Sequence, residues 1–433
     1  MAIVFFRAVI CAVVVVATAF PVWMAPSAQP PAPVAPALAP DEALDPADLD
    51  DFDLEPLVDL EPSGAPETSA TPPGIPQPPY VGAAAAILVD WRTGQVLYAK
   101  DAYRPRAPAS TTKILTAIVV LESSGLSERV KVSPRAASTP GSSMGLASGQ
   151  ELTVGDLVWG MLLRSGNDAC VVAAEHIAGT EGAFVEMANR RAAELGAWRT
   201  HFRNAHGISV RNHYTTAYDL ALLARHALTI PAFEVIVRTR EVTLPMEGGQ
   251  WALALRNTNN LLWTFAGADG VKTGTTSVAG KCLVASATRG GRRLLSVVLN
   301  SGDRYQDTAL LLEWGFRNYG TVCLARSGQP MATARVRGGM EREVTLTPEE
   351  DFWAACPSWA TGALGLDIHL VEPVRAPIRR GQVVGVAEAT LGDGVVRAVN
   401  LVAVEGVPKW TPVRAFLKGF LPVLKLMARW GVG

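Results

Sequence analysis

"KTGTTSVAGKCLVASATRGGRRLLSVVLNS", residues 272–301, decides the fold. Two runs rich in Val, Leu and Ala flank Gly290-Gly291, a pair suited to the positive φ of a tight turn, so the stretch predicts a β-hairpin. A second strand pair lies far upstream. "AAAAILVDWRTGQVLYAKD", residues 83–101, predicts a strand to Val89, a turn through Asp90-Trp91-Arg92-Thr93-Gly94 and a return strand over Gln95–Ala99. The segments between carry helical patterns. Residues 113–124 predict a buried helix. "ELTVGDLVWGMLLRSGNDACVVAAEHIAG" (151–179) predicts two helices broken at Ser165-Gly166-Asn167. "TTAYDLALLARHAL" (215–228) predicts another, capped by Thr215 or Thr216 with Asp219 in its first turn. A helix over "DTALLLEWGFRNY" (307–319) closes the series. The order is strand pair, helices, strand pair, helix. It predicts one α/β domain of about 240 residues whose sheet draws strands from both ends.

Three short motifs sit on this framework. Ser110-Thr111-Thr112-Lys113 opens the buried helix, Ser165-Gly166-Asn167 breaks the helix pair, and Lys272-Thr273-Gly274 starts the strand before the hairpin. Singly, each has a plain structural reading as a cap, a break or a turn. Together they supply a nucleophilic site. Positions i and i+3 share a helix face, so Ser110 Oγ and Lys113 Nζ can meet. A hydroxyl needs a nearby base, and a lysine is a base only when neutral. Burial lowers its pKa, and so does a second cation, for which Lys272 is the candidate. The helix mouth behind Ser110 adds positive potential. The Ser110 N–H and an N–H of the strand after Gly274 can form an oxyanion hole. Gly274 lets a substrate lie close to the strand edge. Ser165 can pass a proton to a leaving amine, and Asn167 can bond a substrate amide. Arg293 on the following strand would strengthen a cationic pocket, which suits an acyl donor bearing a carboxylate. None of these roles needs a metal or a cofactor.

The set STTK, SGN and KTG, in this order, resembles the penicillin-binding serine acyl transferases. The nearer likeness is to the low-molecular-mass D-alanyl-D-alanine carboxypeptidases of the penicillin-binding protein 5 type, serine peptidase family S11. "NAHGISVRNHYTTAYDLALLAR" (204–225), "LLEWGFRNYG" (311–320), "APIRRGQVVG" (376–385) and the basic tail share it. The resemblance implies an α/β serine β-lactamase/penicillin-binding transpeptidase-like domain over 81–325 and a small all-β sandwich domain over 326–408. It implies an acyl-ester on Ser110, with Lys113 taking its proton, and Ser165 and Asn167 serving proton transfer and substrate binding. Lys272 and Thr273, helped by Arg293, would hold the substrate carboxylate beside Gly274, and the Thr275 N–H would complete the oxyanion hole. His206 and His213 are expected to order loops. The implied substrate is the peptidoglycan pentapeptide stem, with β-lactams as inhibitors. The same motifs occur in class A β-lactamases, but no ExxLN-type segment for a water-activating glutamate lies between Asp168 and Gly270. A β-lactamase and a catalytically silent wall-binding protein are the rival readings.

Composition frames these readings. The chain has 433 residues, 49% of them apolar, and a net charge of -1. Eleven Asp and Glu fall within residues 41–67, which contain no Lys or Arg; the rest carries 39 basic against 29 acidic side chains. That surplus suits an anionic polymer or a lipid surface and is too diffuse for nucleic acid. Cys11, Cys170, Cys282, Cys323 and Cys356 form no CxxC or Cys/His framework, and free thiols are expected. Residues 1–28, with Arg7 before an apolar stretch over Ala8–Phe20 and small residues Ala25, Ser27 and Ala28, read as an export signal, an uncleaved anchor being the alternative. Residues 29–80 are Pro-rich and acidic, a disordered linker. In the tail, 409–433, Arg414, Lys418, Lys425 and Arg429 fall within a ~60° helical sector opposite Phe416, Phe420, Leu424 and Trp430, which suits a membrane interface. The chain is thus expected in the cell envelope, at the outer face of the cytoplasmic membrane.

Overall fold

The computed structural model describes residues 75–245, 252–371, 373–392 and 394–414. The elements run β1 (Ala85–Asp90), β2 (Val96–Lys100), α1 (Lys113–Ser123), β3 (Arg129–Lys131), α2 (Pro134–Ala137), β4 (Glu151–Thr153), α3 (Val154–Trp159), α4 (Asn167–Ala178), α5 (Glu181–Glu194), α6 (Ala217–Ala227), α7 (Pro231–Arg238), β5 (Glu241–Pro245), β6 (Ala252–Arg256), α8 (Leu261–Thr264), β7 (Ala268–Thr276), β8 (Gly280–Arg289), β9 (Arg292–Ser301) and α9 (Arg304–Asn318). A β domain follows with β10 (Tyr319–Ala325), β11 (Ala332–Arg335), β12 (Glu343–Pro348), β13 (Phe352–Pro357), β14 (Gly365–Leu370), β15 (Val383–Leu391) and β16 (Gly394–Ala403). The export segment, the acidic linker up to residue 74 and the tail from residue 415 lie outside the described residues.

The main sheet has the order β2-β1-β9-β8-β7, antiparallel throughout, so it does join strands from both ends of the domain. Its central strands are buried on both faces. The two-residue period sorts β1 cleanly: Ala85, Ile87 and Val89 face the α6 side and the core that α1 and α4 also line, while Ala86 and Leu88 share the core of Leu311, Leu312 and Trp314 of α9. α1 is apolar all round because helices and sheet enclose it. Ile114, Leu115, Ile118, Val119 and Val120 are all buried, each contributing ~1.5–3 kcal/mol. Thr216 caps α6 by accepting the Asp219 N–H. Order begins before Tyr80, since Ile75 is already packed in the α9-side core.

The β domain begins at Tyr319, earlier than the expected residue 326, because β10 pairs with β13. Its other sheet runs β11-β12-β16-β15-β14. The two domains dock through the β1–β2 turn. Gln95 donates to Ala355 O and Val396 O and accepts the Ala355 N–H, while Arg92 stacks over Trp353. Cys170, Cys282, Cys323 and Cys356 are all free thiols, as expected.

Candidate active site

Ser110 lies in a 3-10 turn, Ala109–Thr112, that runs directly into α1. The turn is strained: Ala109 has φ 50°, a left-handed conformation costing a non-glycine residue ~1–3 kcal/mol. Neighbours hold it there. Thr111 Oγ1 donates to Pro108 O and Thr112 Oγ1 to Ala109 O. Gly207 (φ +93°) presses so close that a Cβ there would sit 2.0 Å from Ala109 O. One turn on, Lys113 Nζ donates to Ser110 Oγ (3.0 Å), to Asn167 Oδ1 (2.7 Å) and to the carbonyl of His206. None of these partners is a carboxylate. Lys113 is fully buried, and burial brings its pKa down to about 8. Of the two causes offered from the sequence, burial and a second cation, burial is the one that lowers it. Lys272 is likewise pushed well below its ordinary value, by burial and then by the Lys113 charge.

Ser165 ends the π-helical turn after α3 in a left-handed conformation (φ 65°). Among the described residues its hydroxyl has no hydrogen-bond partner, and it stands two residues before Asn167, which bonds Lys113. Asn167 opens α4. Expected to bind a substrate amide, it is already occupied on both sides: Oδ1 takes Lys113, and Nδ2 donates to Pro140 O. One N–H and one lone pair remain. Next to it, Asp168 accepts the N–H groups of Met144, Gly145 and Leu146, clamping the 143–146 loop to the start of α4.

β7 forms the opposite wall and is an edge strand of the sheet. Lys272 lies mid-strand rather than at its start, buried, with Nζ donating to Thr273 O (3.0 Å). A Cβ on Gly274 would lie 2.9 Å from Ser110 N and 3.0 Å from Pro108 O, so only glycine lets this edge approach the serine turn. The Ser110 N–H thus lies against the strand that carries Thr275. Thr273 Oγ1 is 2.7 Å from Thr258 Oγ1.

Arg293 does not belong here. It pairs with Glu234 (2.5 Å) and Asp269 (3.1 Å) and lies over Trp91. The register explains why. Arg293 faces Thr288 near the tip of the β8–β9 hairpin, whereas Thr273 faces Leu283, which in turn faces Val298. Five residues of strand put roughly 17 Å between them. Its neighbour Arg292 is bound to Asp90 and Tyr319 O. An arginine that does reach this strand is Arg304, which the sequence reading missed. Its guanidinium donates to Gly274 O (2.8 Å) and Thr275 Oγ1 (2.7 Å), and its buried Nε has no partner. A signal existed: Arg304 stands in the first turn of α9, where the helix dipole disfavours a cation, as does Lys113 in α1.

Both histidines order loops. His213 bonds Thr112 Oγ1 and accepts the Arg203 N–H, stacked on Phe202. His206 Nδ1 accepts the Ile208 N–H. Burial, then neighbouring cationic charge, holds each pKa down at about 3, so both are neutral.

A serine bonded to an amine kept near neutrality, beside an open strand edge gripped by an arginine, is equipped for acyl transfer from a carboxylate-bearing donor. The fold and site are those of the serine acyl transferases. Residues 73–303 match the family model "D-alanyl-D-alanine carboxypeptidase" (peptidase S11), and 319–409 match "Penicillin-binding protein 5, C-terminal domain". The D-alanyl-D-alanine carboxypeptidase DacF of Bacillus subtilis is 34% identical over 345 residues, 78% of this chain and 88% of the relative. DacA of Escherichia coli K12 is 32% identical over 372 residues, 82% and 89% of the two chains. The crystal structure of penicillin-binding protein 5 from Haemophilus influenzae superposes with a TM-score of 0.72 at 30% identity, covering 77% of this chain and all of that one. The chain belongs to the S11 D-alanyl-D-alanine carboxypeptidase family: it is a penicillin-binding, serine-type D-Ala-D-Ala carboxypeptidase working through an acyl-enzyme.

Proposed function

We propose that Ser110 is the acylated residue and Lys113 its base, and that the substrate is the pentapeptide stem of peptidoglycan. Ser110 Oγ attacks the carbonyl of the penultimate D-alanine as its proton passes to Lys113 Nζ. The Ser110 and Thr275 N–H groups hold the oxyanion. The proton reaches the amine of the terminal D-alanine through Ser165, the C–N bond breaks and D-alanine leaves. Water then attacks the ester, giving a proton to Lys113; the bond to Ser110 Oγ breaks, Lys113 returns that proton to Ser110 Oγ, and the shortened stem departs. Lys272, Thr273 and Arg304 receive the terminal carboxylate, with Arg304 taking the part first given to Arg293. The observation that carries this reading is the 3.0 Å contact between Lys113 Nζ and Ser110 Oγ, made by a buried amine near neutrality.

A β-lactam acylates the same serine, but its leaving amine stays tethered. Among the described residues neither Ser110 nor Lys113 has a carboxylate hydrogen-bond partner to drive water onto the ester. This supports inhibition over rapid β-lactam turnover. The enzyme works in the cell envelope, outside the cytoplasmic membrane, after export by residues 1–28. The basic amphipathic tail rests on the membrane surface. Among the described residues no single helix is long and apolar enough to cross a membrane. Fluorescent penicillin and D-alanine release from a diacyl-D-Ala-D-Ala peptide test the reading together. Wild type labels and releases D-alanine; Ser110→Ala and Lys113→Ala do neither while keeping their circular dichroism. Equal labelling of Ser110→Ala refutes the nucleophile.

A further inference from the structure

We infer that Thr258 is a positioning residue for the terminal carboxylate: its hydroxyl aims that of Thr273, so that Thr273 presents its single hydrogen to the anion. This rests on the reading of Thr273 as a carboxylate contact.

Thr258 lies in Asn257-Thr258-Asn259, a bracket between β6 and α8. The flanking side chains are spent on backbone. Asn257 Nδ2 donates to Val237 O and Thr239 O, and its Oδ1 accepts the Asn259 N–H. Asn259 Nδ2 donates to Gly270 O (2.7 Å). The Thr258 backbone is pinned from two sides: its N–H donates to Leu163 O, on the approach to Ser165, and its carbonyl accepts the Tyr305 hydroxyl, next to Arg304. With the backbone fixed, the exposed Thr258 hydroxyl stands 2.7 Å from Thr273 Oγ1.

The hydroxyl inventory gives this contact a direction. Thr273 has one hydrogen and two lone pairs. If it donates to Thr258, nothing remains for an anion, which only accepts. If Thr258 donates to Thr273, the Thr273 hydrogen is free, and the chain from Thr258 through Thr273 to carboxylate is mutually polarised. An arriving carboxylate selects the second arrangement. Valine at 258 keeps the shape and removes the donor.

Acylation by benzylpenicillin and by its methyl ester, followed by intact-mass spectrometry, tests this. Thr258→Val should slow the carboxylate form about fivefold to tenfold and the ester less than about twofold, and Thr258→Ser should restore the rate. Thr273→Val should discriminate the two ligands the same way, and the double variant should be no worse than Thr273→Val alone. Thr258→Val slowing both ligands equally, or neither, while Thr273→Val discriminates, overturns the inference alone. If Thr273→Val fails to discriminate, the carboxylate reading of Thr273 falls, and this inference with it.

Discussion

Acylation should track the titration of Lys113. With its pKa at about 8, about one enzyme in a hundred carries the free amine at pH 6, one in eleven at pH 7 and ten in eleven at pH 9. A solvated lysine near 10.4 would be neutral in only about one molecule in 2,500 at pH 7. The second-order rate of acylation by a chromogenic β-lactam should therefore rise about tenfold per pH unit up to pH 7.5 and level off above 8.5. Stopped-flow measurements in overlapping buffers from pH 5.5 to 10 give the profile. A limb centred between 6 and 7 would point to a different base, and not to His206 or His213, which stay neutral down to about 3. A rate still climbing past pH 10 would mean that burial does not lower the lysine. Stability supplies a second readout. The folded-state pKa lies below the unfolded one, so below pH 8 both states are protonated and the burial penalty stands in full. From pH 8 to 10.5 the unfolded chain holds the extra proton, and stability should rise, by roughly 3 kcal/mol at most for Lys113 alone. Lys272, shifted the same way, adds with the same sign.

Three substitutions probe the walls of the site, with Arg293→Gln as a control outside it. Gly274→Ala should lower the rate of penicillin labelling about a hundredfold with the fold intact, because its Cβ forces the serine turn off the strand edge. Arg304→Gln should raise KM for a D-Ala-D-Ala peptide about tenfold or more, whereas Arg293→Gln should leave KM alone and cost ~1–3 kcal/mol in denaturant unfolding by stranding Glu234 and Asp269. Ser165→Ala should depress D-alanine release while moving stability by less than about 0.5 kcal/mol, since its hydroxyl holds nothing in the free enzyme.

The sheet was legible because strand and helix periods differ and because Gly290-Gly291 admits little besides a hairpin. The three motifs were legible because each falls at a break in those periods. Arg293 was misread for a related reason. Alternation tells which face of a strand a residue takes, but the distance of that residue from a pocket depends on the register between β7 and β8. That register is set by contacts between strands and appears in neither strand alone. Arg304 reaches the site from the first turn of a helix thirty residues beyond Gly274, and only the fold closes that distance. The same holds for the His206 carbonyl on Lys113, a backbone atom that side-chain motifs cannot reveal.

From sequence, two causes lower the pKa of Lys113: burial, and a second cation for which Lys272 is the candidate. In the folded chain both lysines are buried, which lowers both, and Lys272 is pressed down further by the Lys113 charge and then by Arg304. The carboxylate that does lie nearby, Asp168, is spent on the 143–146 loop. The site is thus short of negative charge by construction. A substrate ending in a carboxylate brings what the pocket lacks, favouring the ammonium of Lys272 when it arrives. A chain continuing past the scissile bond as a neutral amide brings nothing to offset the burial of two amines beside Arg304. On this argument preference for the last residue of a peptide is an electrostatic property of the pocket, prior to any steric end-stop at its mouth.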